Sequence, residues 1–209
     1  MKIGIDVDLT TLKSDEAWWC WLWNMSGENP NASREYKLKR FEELKRREIL
    51  VSYDLSVYFD DMVNRNVEPM DFWRNEGVYD QVDPRKDAYH AINQLIRSNA
   101  DNHDFIFITH NKGNGSRSKF NLLDRLFGRD NFYYVVTREK YLVDVDIMID
   151  DRADFLNRFV GTKTYPICLS TPFVQSEPLD DSIILFDDWW NILSHIEKVQ
   201  RLYNVLENT

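Results

Sequence analysis

Two carboxylates, Asp6 and Asp8, stand one residue apart directly after the apolar run Ile3-Gly4-Ile5. Alone, such a pair reads as a polar turn. Two further apolar runs also end in side chains able to do chemistry. "IFIT" ends in Thr109, followed by a loop and then a helix pattern carrying Lys119, and "IMID" ends in Asp150, followed by Asp151 and Arg152. A few hard oxygen donors suit Mg²⁺, which keeps several waters and shares the phosphate oxygens of a substrate. One carboxylate can attack phosphorus and form an acyl-phosphate that water then hydrolyses. A second can protonate the leaving alkoxide and later deprotonate the water, while Lys and Thr neutralise and orient the phosphoryl oxygens. The set as a whole therefore suits Mg²⁺-assisted phosphoryl transfer.

These residues converge only if the apolar runs form one sheet. "KIGIDV" (2–7), "DFIFIT" (104–109), "NFYYVV" (131–136), "VDIMID" (145–150), "TYPICLS" (164–170) and "SIILF" (182–186) are continuous rather than alternating, as in strands buried on both faces. Helix patterns at 83–99, 116–128 and 188–206 lie between or after them. Alternating strands and helices predict an α/β fold, a Rossmann-like parallel sheet with ligands beyond the carboxyl ends of its strands. Residues 13–80 lack a strand pattern and hold amphipathic stretches, which predicts a helical cap subdomain inserted after strand 1. The α/β core then comprises residues 1–12 and 81–209, with Asp83 as N-cap and Pro84 at the first helical position.

The net charge of −9, from 26 Lys and Arg against 35 Asp and Glu, speaks against holding an extended nucleic-acid backbone. The one basic stretch, "REYKLKRFEELKRRE" (34–48), interleaves Lys and Arg with Glu at helical spacing and reads as a solvated helix face. No segment approaches ~18 uninterrupted apolar residues, so no membrane partner is expected. Cys20 and Cys168 read as two reduced thiols, and the first residues carry no basic-apolar-small signal pattern. The expected location is the cytoplasm, and a homodimer is compatible with the sequence.

The chain resembles the haloacid dehalogenase (HAD) superfamily of phosphohydrolases. Its motifs occur in order: "DVDLT" (6–10), the strand end "IFIT" (106–109), the helical Lys119 and "IDD" (149–151). The resemblance implies Asp6 as nucleophile and Asp8 as general acid/base. It implies Mg²⁺ held by Asp6, the Asp8 backbone carbonyl and Asp150, with Asp151 as a ligand or support. Thr109 and Lys119 would bind phosphate. A closer likeness is to the 5′(3′)-deoxyribonucleotidases, through "IDDRADF" (149–155), "TREK" (137–140) and "DFWRNEGVYDQVDP" (71–84). It implies a nucleoside monophosphate substrate, with deoxy forms preferred. Other substrates within the superfamily are a polynucleotide 3′-phosphate end, which the basic stretch keeps open, and a small sugar phosphate. A non-catalytic HAD-like binding protein is a further alternative, opposed by the intact acids. Two positions depart from the pattern. Leu9 replaces the usual Gly, so its side chain must turn away from the phosphate or narrow the pocket, and His110 follows Thr109 where Ser-Pro is common.

Several residues carry two readings. His110 either contacts phosphate or makes a loop hydrogen bond. Lys112, in the loop, competes with Lys119 for the phosphate, and Lys119 is preferred. Arg152 pairs with Asp151 or reaches substrate, and Lys140 either buttresses the acids or sits on the surface. Trp18, Phe72 and Trp73 are candidates for stacking on a base, although the aromatic run "AWWCWLW" (17–23) is as well suited to packing helices together. Trp189 and Trp190 read as core.

Overall fold

The computed structural model describes residues 1–29, 31–59, 68–99, 103–111, 113–174 and 177–207. Six strands form one parallel sheet: β1 (Lys2–Asp6), β2 (Asp104–Thr109), β3 (Tyr133–Val136), β4 (Ile147–Asp150), β5 (Tyr165–Leu169) and β6 (Ile184–Phe186). Their order across the sheet is β3-β2-β1-β4-β5-β6, so β1 is central. Alternate residues of the central strands enter two apolar layers, as expected for strands covered on both faces. Ile3, Ile5, Phe105, Phe107, Ile147 and Ile149 join one layer, and Ile106, Ile108, Met148 and Cys168 the other.

Register sets the carboxyl edge. Ile5 pairs with Ile149 and Asp6 with Ile108. The last residues of β1 and β4, Asp6 and Asp150, are therefore neighbours, with Thr109 ending β2 one residue beyond the partner of Asp6. All six predicted strands are present.

Between β1 and the next core helix lie α1 (Ser14–Ser26), α2 (Arg34–Arg46) and α3 (Asp71–Arg74), with no strand among the described residues of this insertion. Its apolar filling is aromatic. Trp19 contacts Trp23, Phe41 and Phe59 with ring centroids 5.9, 5.2 and 4.7 Å apart, and its Nε1 donates to the Lys37 carbonyl. The two ends of the insertion meet in a short backbone seam. Lys13 N donates to Asp83 O at 2.8 Å, Arg85 N donates to Thr11 O at 3.0 Å, and Leu12 bridges Pro84.

That seam corrects the predicted start of α4 (Lys86–Asn99). Asp83 and Pro84 are not its cap, because extended pairing to residues 11–13 holds them out of the helix, and the Asp83 carboxylate pairs with Arg34 instead. The core is completed by α5 (Ser116–Phe127), the short α6 (Ala153–Leu156) and α7 (Trp189–Glu207). Trp189 is fully buried and donates to the Thr10 carbonyl at 3.0 Å, but Trp190 is exposed on the next helical position, away from the core.

The turn after β1 explains Leu9. Thr11 N and Leu12 N both donate to the Val7 carbonyl, and Leu9 takes φ 59°, the left-handed conformation that favours glycine. Three contacts hold it there: Leu9 N donates to Ser14 Oγ at 3.1 Å, Arg85 Nε donates to the Leu9 carbonyl, and the side chain packs on the core. A β-branched residue tolerates this conformation worse still. Leu9→Ile keeps the volume and is expected to lower the urea midpoint, because branching at Cβ adds to the left-handed cost that Leu9 already carries. An unchanged midpoint would show that the turn is not under strain.

Candidate active site

Asp6, Asp150 and Asp151 each offer a carboxylate oxygen, and the three oxygens lie within 4.8 Å of one another. All three residues are buried. The cation among them is Lys140, carried on a 3-10 turn (Lys140–Leu142) just before β4. Its Nζ donates to Asp6 Oδ1 and to Asp150 Oδ2, both at 2.6 Å, and the residue is only 3% exposed. Thr10 Oγ1 donates to Asp151 Oδ1 at 2.8 Å, and Arg152 N donates to Asp150 Oδ1 at 3.0 Å. Asp151 Oδ2 is buried and accepts no hydrogen bond among the described residues.

The electrostatics follow from this count. One ammonium against three carboxylates leaves two negative charges uncompensated in a desolvated place. Burial pushes the Asp6 carboxyl up to about 7, with Asp150 and Asp8 adding to the rise and Lys140 opposing it. Burial, then Asp150, pushes Asp151 well above the carboxylate range. Burial works against the Lys140 ammonium, yet Asp150 and Asp6 outweigh it and hold Lys140 above the usual lysine value. A divalent cation removes the charge deficit and gives the unpartnered Asp151 oxygen a partner, and an all-oxygen donor set suits Mg²⁺. The residues fit the ion.

A second ion pair stands beside the first. Lys119 Nζ, fully buried on α5, donates to Asp8 Oδ2 and to Thr109 Oγ1, both at 2.6 Å. The hydroxyl of Tyr79 donates to the other Asp8 oxygen at 2.8 Å. Both oxygens of Asp8 thus accept hydrogen bonds, and its carboxylate is not part of the three-acid cluster. The Asp8 carbonyl accepts from Thr10 N at 2.6 Å.

Asp6, Asp8, Tyr79, Lys140 and Asp151 open onto a cavity of about 360 Å³, whereas Lys119, Thr109 and Asp150 are fully buried behind them. Leu9 and, from the insertion, Asp15, Trp18, Leu55, Met70 and Trp73 form another part of its wall. Leu9 therefore narrows the space beside the acids. Trp18 and Trp73 meet edge to face at 5.4 Å, with Trp18 Nε1 bonded to the Pro69 carbonyl. Phe72 does not reach the cavity. It is buried against Trp21 and Trp73, at 6.0 and 4.8 Å between ring centroids. His110 lines the cavity and accepts from Arg138 Nε on its Nε2 at 3.0 Å. Arg152 also lines it, but its guanidinium grips Asp154 at 2.8 and 2.9 Å rather than Asp151. Lys112 lies outside the described residues.

The sequence reading overlooked several contributors. Lys140, in "TREK", is not one of them: of its two readings, the structure bears out the one in which it buttresses the acids. Tyr79 had no local signal. Tyr53, whose hydroxyl donates to the Asp151 carbonyl while its ring lies 5.1 Å beneath Arg152, had none either. Asn111 is a further case, its Nδ2 buried on the cavity wall with no acceptor among the described residues.

No protein family's sequence profile matches the chain, and no curated protein matches it. Solved structures do. A HAD-superfamily hydrolase from Ehrlichia chaffeensis aligns over 94% of this chain and 96% of its own, with a TM-score of 0.57 at 9% identity. A haloacid dehalogenase-like family hydrolase from Xanthomonas campestris aligns over 99% and 94%, with a TM-score of 0.55 at 14% identity. The HAD-type protein YfnB from Bacillus subtilis, solved with magnesium bound, aligns over 93% and 97%, with a TM-score of 0.53 at 15% identity. The fold is thus the one these HAD-superfamily hydrolases share, and its carboxyl edge carries the three-acid cluster.

Metal and protons compete for the same carboxylates. A raised Asp6 value means the folded protein holds the proton more tightly than the unfolded chain does. The resulting stabilisation is present below the ordinary carboxylate value and is lost as pH rises toward about 7. In EDTA, melting temperature is expected to fall across that interval. The rise produced by added Mg²⁺ should be larger at pH 8 than at pH 5, and Asp151→Asn should shrink it. A Mg²⁺ effect independent of pH would contradict the assigned site.

Proposed function

We propose that the protein is a Mg²⁺-dependent phosphomonoesterase that works through an aspartyl-phosphate on Asp6, with nucleoside monophosphates as substrates and deoxy forms preferred. The observation that carries the reading is Lys140 bonded at 2.6 Å to both Asp6 and Asp150, beside an acid pair made of Asp8 and Lys119. Asp6, Asp150 and Asp151 would hold the ion, and when bound it supplies positive charge against the phosphoryl oxygens.

The chain's own residues account for the remaining steps. An Asp6 carboxylate oxygen forms a bond to phosphorus as the bond to the ester oxygen breaks. Asp8 delivers a proton to that oxygen, and the alcohol departs. Asp8, now a carboxylate, takes a proton from water as the water oxygen bonds to phosphorus. The Asp6–phosphorus bond then breaks to release inorganic phosphate. The observed Asp8, accepting on both oxygens, is in the form that activates water. For the acid step the Tyr79 hydroxyl can rotate from donor to acceptor, and burial, with Asp8 next, holds that hydroxyl well above the usual tyrosine value so that it keeps its proton. Lys119, Thr109 and the unpartnered Asn111 amide are donors for the phosphoryl oxygens.

The nucleotide part rests on the aromatic side chains of Trp18 and Trp73, which line the same cavity as Asp6, Asp8 and Asp151. The test is a phosphate-release panel of ribo- and deoxyribonucleoside 5′- and 3′-monophosphates, sugar phosphates and a 3′-phosphorylated oligonucleotide, run with Mg²⁺ and with EDTA. Asp6→Asn is expected to lower kcat by at least a factor of about 10³, and Asp8→Asn by about 10²–10⁴. Equal release by wild type and Asp6→Asn would rule the mechanism out. Faster turnover of sugar phosphates would leave the chemistry and remove the nucleotide.

A further inference from the structure

Asp15 is a buried carboxylate that the reaction does not use. It occupies the first turn of α1, is 2% exposed and lines the cavity. Neither of its oxygens accepts a hydrogen bond among the described residues. Lys45 Nζ and Arg85 Nη2 both stand 3.7 Å from Oδ2, close enough to balance charge but too far to donate. A buried acceptor left in this state is costly unless something else bonds to it. Trp18, one helical turn along on the same face of α1, lines the cavity too.

The surroundings restrict what that partner is. Lys45 and Arg85, each 3.7 Å from Oδ2, already balance the charge of Asp15, so no cationic ligand is needed to neutralise it. An anion has no donor to meet at Asp15 itself. A neutral O–H or N–H group satisfies the oxygens without adding charge.

We infer that Asp15 is a specificity-determining residue that accepts a hydrogen bond from a neutral donor on the leaving group, beside the Trp18–Trp73 wall. The inference rests on the proposed function for the position of the phosphate at Asp6. Within thymidine 5′-monophosphate two neutral groups qualify, the ring N–H of the base and the free hydroxyl of the sugar, and the two are chemically separable.

The experiment compares thymidine 5′-monophosphate with its difluorotoluene isostere, which keeps the shape and lacks the ring N–H, and with its 3′-deoxy analogue, which lacks the hydroxyl. Wild type, Asp15→Asn and Asp15→Ala are assayed for kcat and KM. One of the two removals is expected to raise the wild-type KM about ten-fold or more with kcat little changed, the scale of one lost buried hydrogen bond. The same removal should change the Asp15→Ala KM by less than about two-fold. Asp15→Asn, which keeps an acceptor oxygen, should retain part of the discrimination. A merely structural Asp15 would lower activity on all three substrates alike, and that result overturns the inference.

Calorimetric binding of the three compounds to Asp6→Asn reads the same contact without turnover. Preferential binding without phosphate release from any ester would remove the phosphatase reading and leave this one standing. Equal binding of all three, or binding of none, overturns it.

Discussion

The site is organised by a crowding of carboxyl groups that the fold holds in place, so that protons or a cation must relieve it. Asp6 and Asp150 end adjacent central strands, paired in register through Ile5 and Ile149 with apolar residues on both faces of the sheet. That register fixes their backbones side by side, and Asp151 follows directly. Lys140 is inserted between the two strand ends, but one ammonium cannot match three carboxylates. Taking charges out of water costs several kcal/mol each unless they are paired. The arrangement is therefore expensive as a structural device and well suited to a divalent cation. The apolar sheet makes the acids hard to move, and immobility is what a preorganised electrostatic site requires.

The same acids tie the helical insertion to the core. Tyr79 donates to Asp8 and Tyr53 to the Asp151 carbonyl, so two tyrosines from the insertion end on the residues that would carry the chemistry. Arg85, at the seam where the insertion returns, holds the Leu9 carbonyl and also faces Asp15. Gly113 shows how close the two parts come: a Cβ there would lie 2.7 Å from the Arg74 Cα. Any displacement of the insertion must alter the hydrogen bonding of Asp8 and the wall of the cavity together.

Much of this was legible from residue order. Continuous apolar runs marked strands buried on both faces, and their last residues marked the chemical edge, because a parallel sheet puts all its carboxyl ends on one side. What stayed hidden was set by contacts between distant segments. Whether Lys140 buttresses the acids or lies on the surface depends on a 3-10 turn that brings it to Asp6 and Asp150. Asp83-Pro84 has the composition of a helix start, yet its pairing with residues 11–13 overrides local preference. Trp189 and Trp190 are indistinguishable by type, and only helical phase makes one a core residue and leaves the other in solvent. The two tyrosines act through hydroxyls that reach across the insertion boundary, a relation no local pattern encodes.

Leu9 shows how such distant contacts reshape a local rule. A left-handed residue directly after Asp8 is required for the chain to turn back on Val7, and glycine would satisfy it without strain. Leucine costs roughly 1–2 kcal/mol in that conformation. It is retained here with its amide held by Ser14, its carbonyl by Arg85 and its side chain against the core and the cavity. Glycine would relieve the backbone but remove a piece of the cavity wall beside Asp8 and open the space between the acids and Trp18. Strain at this position is thus exchanged for a narrower site, and the groups that over-determine it belong to the insertion and its seam. A backbone angle at the end of β1 is in this way fixed by the same segment that shapes the pocket for whatever the phosphate is attached to.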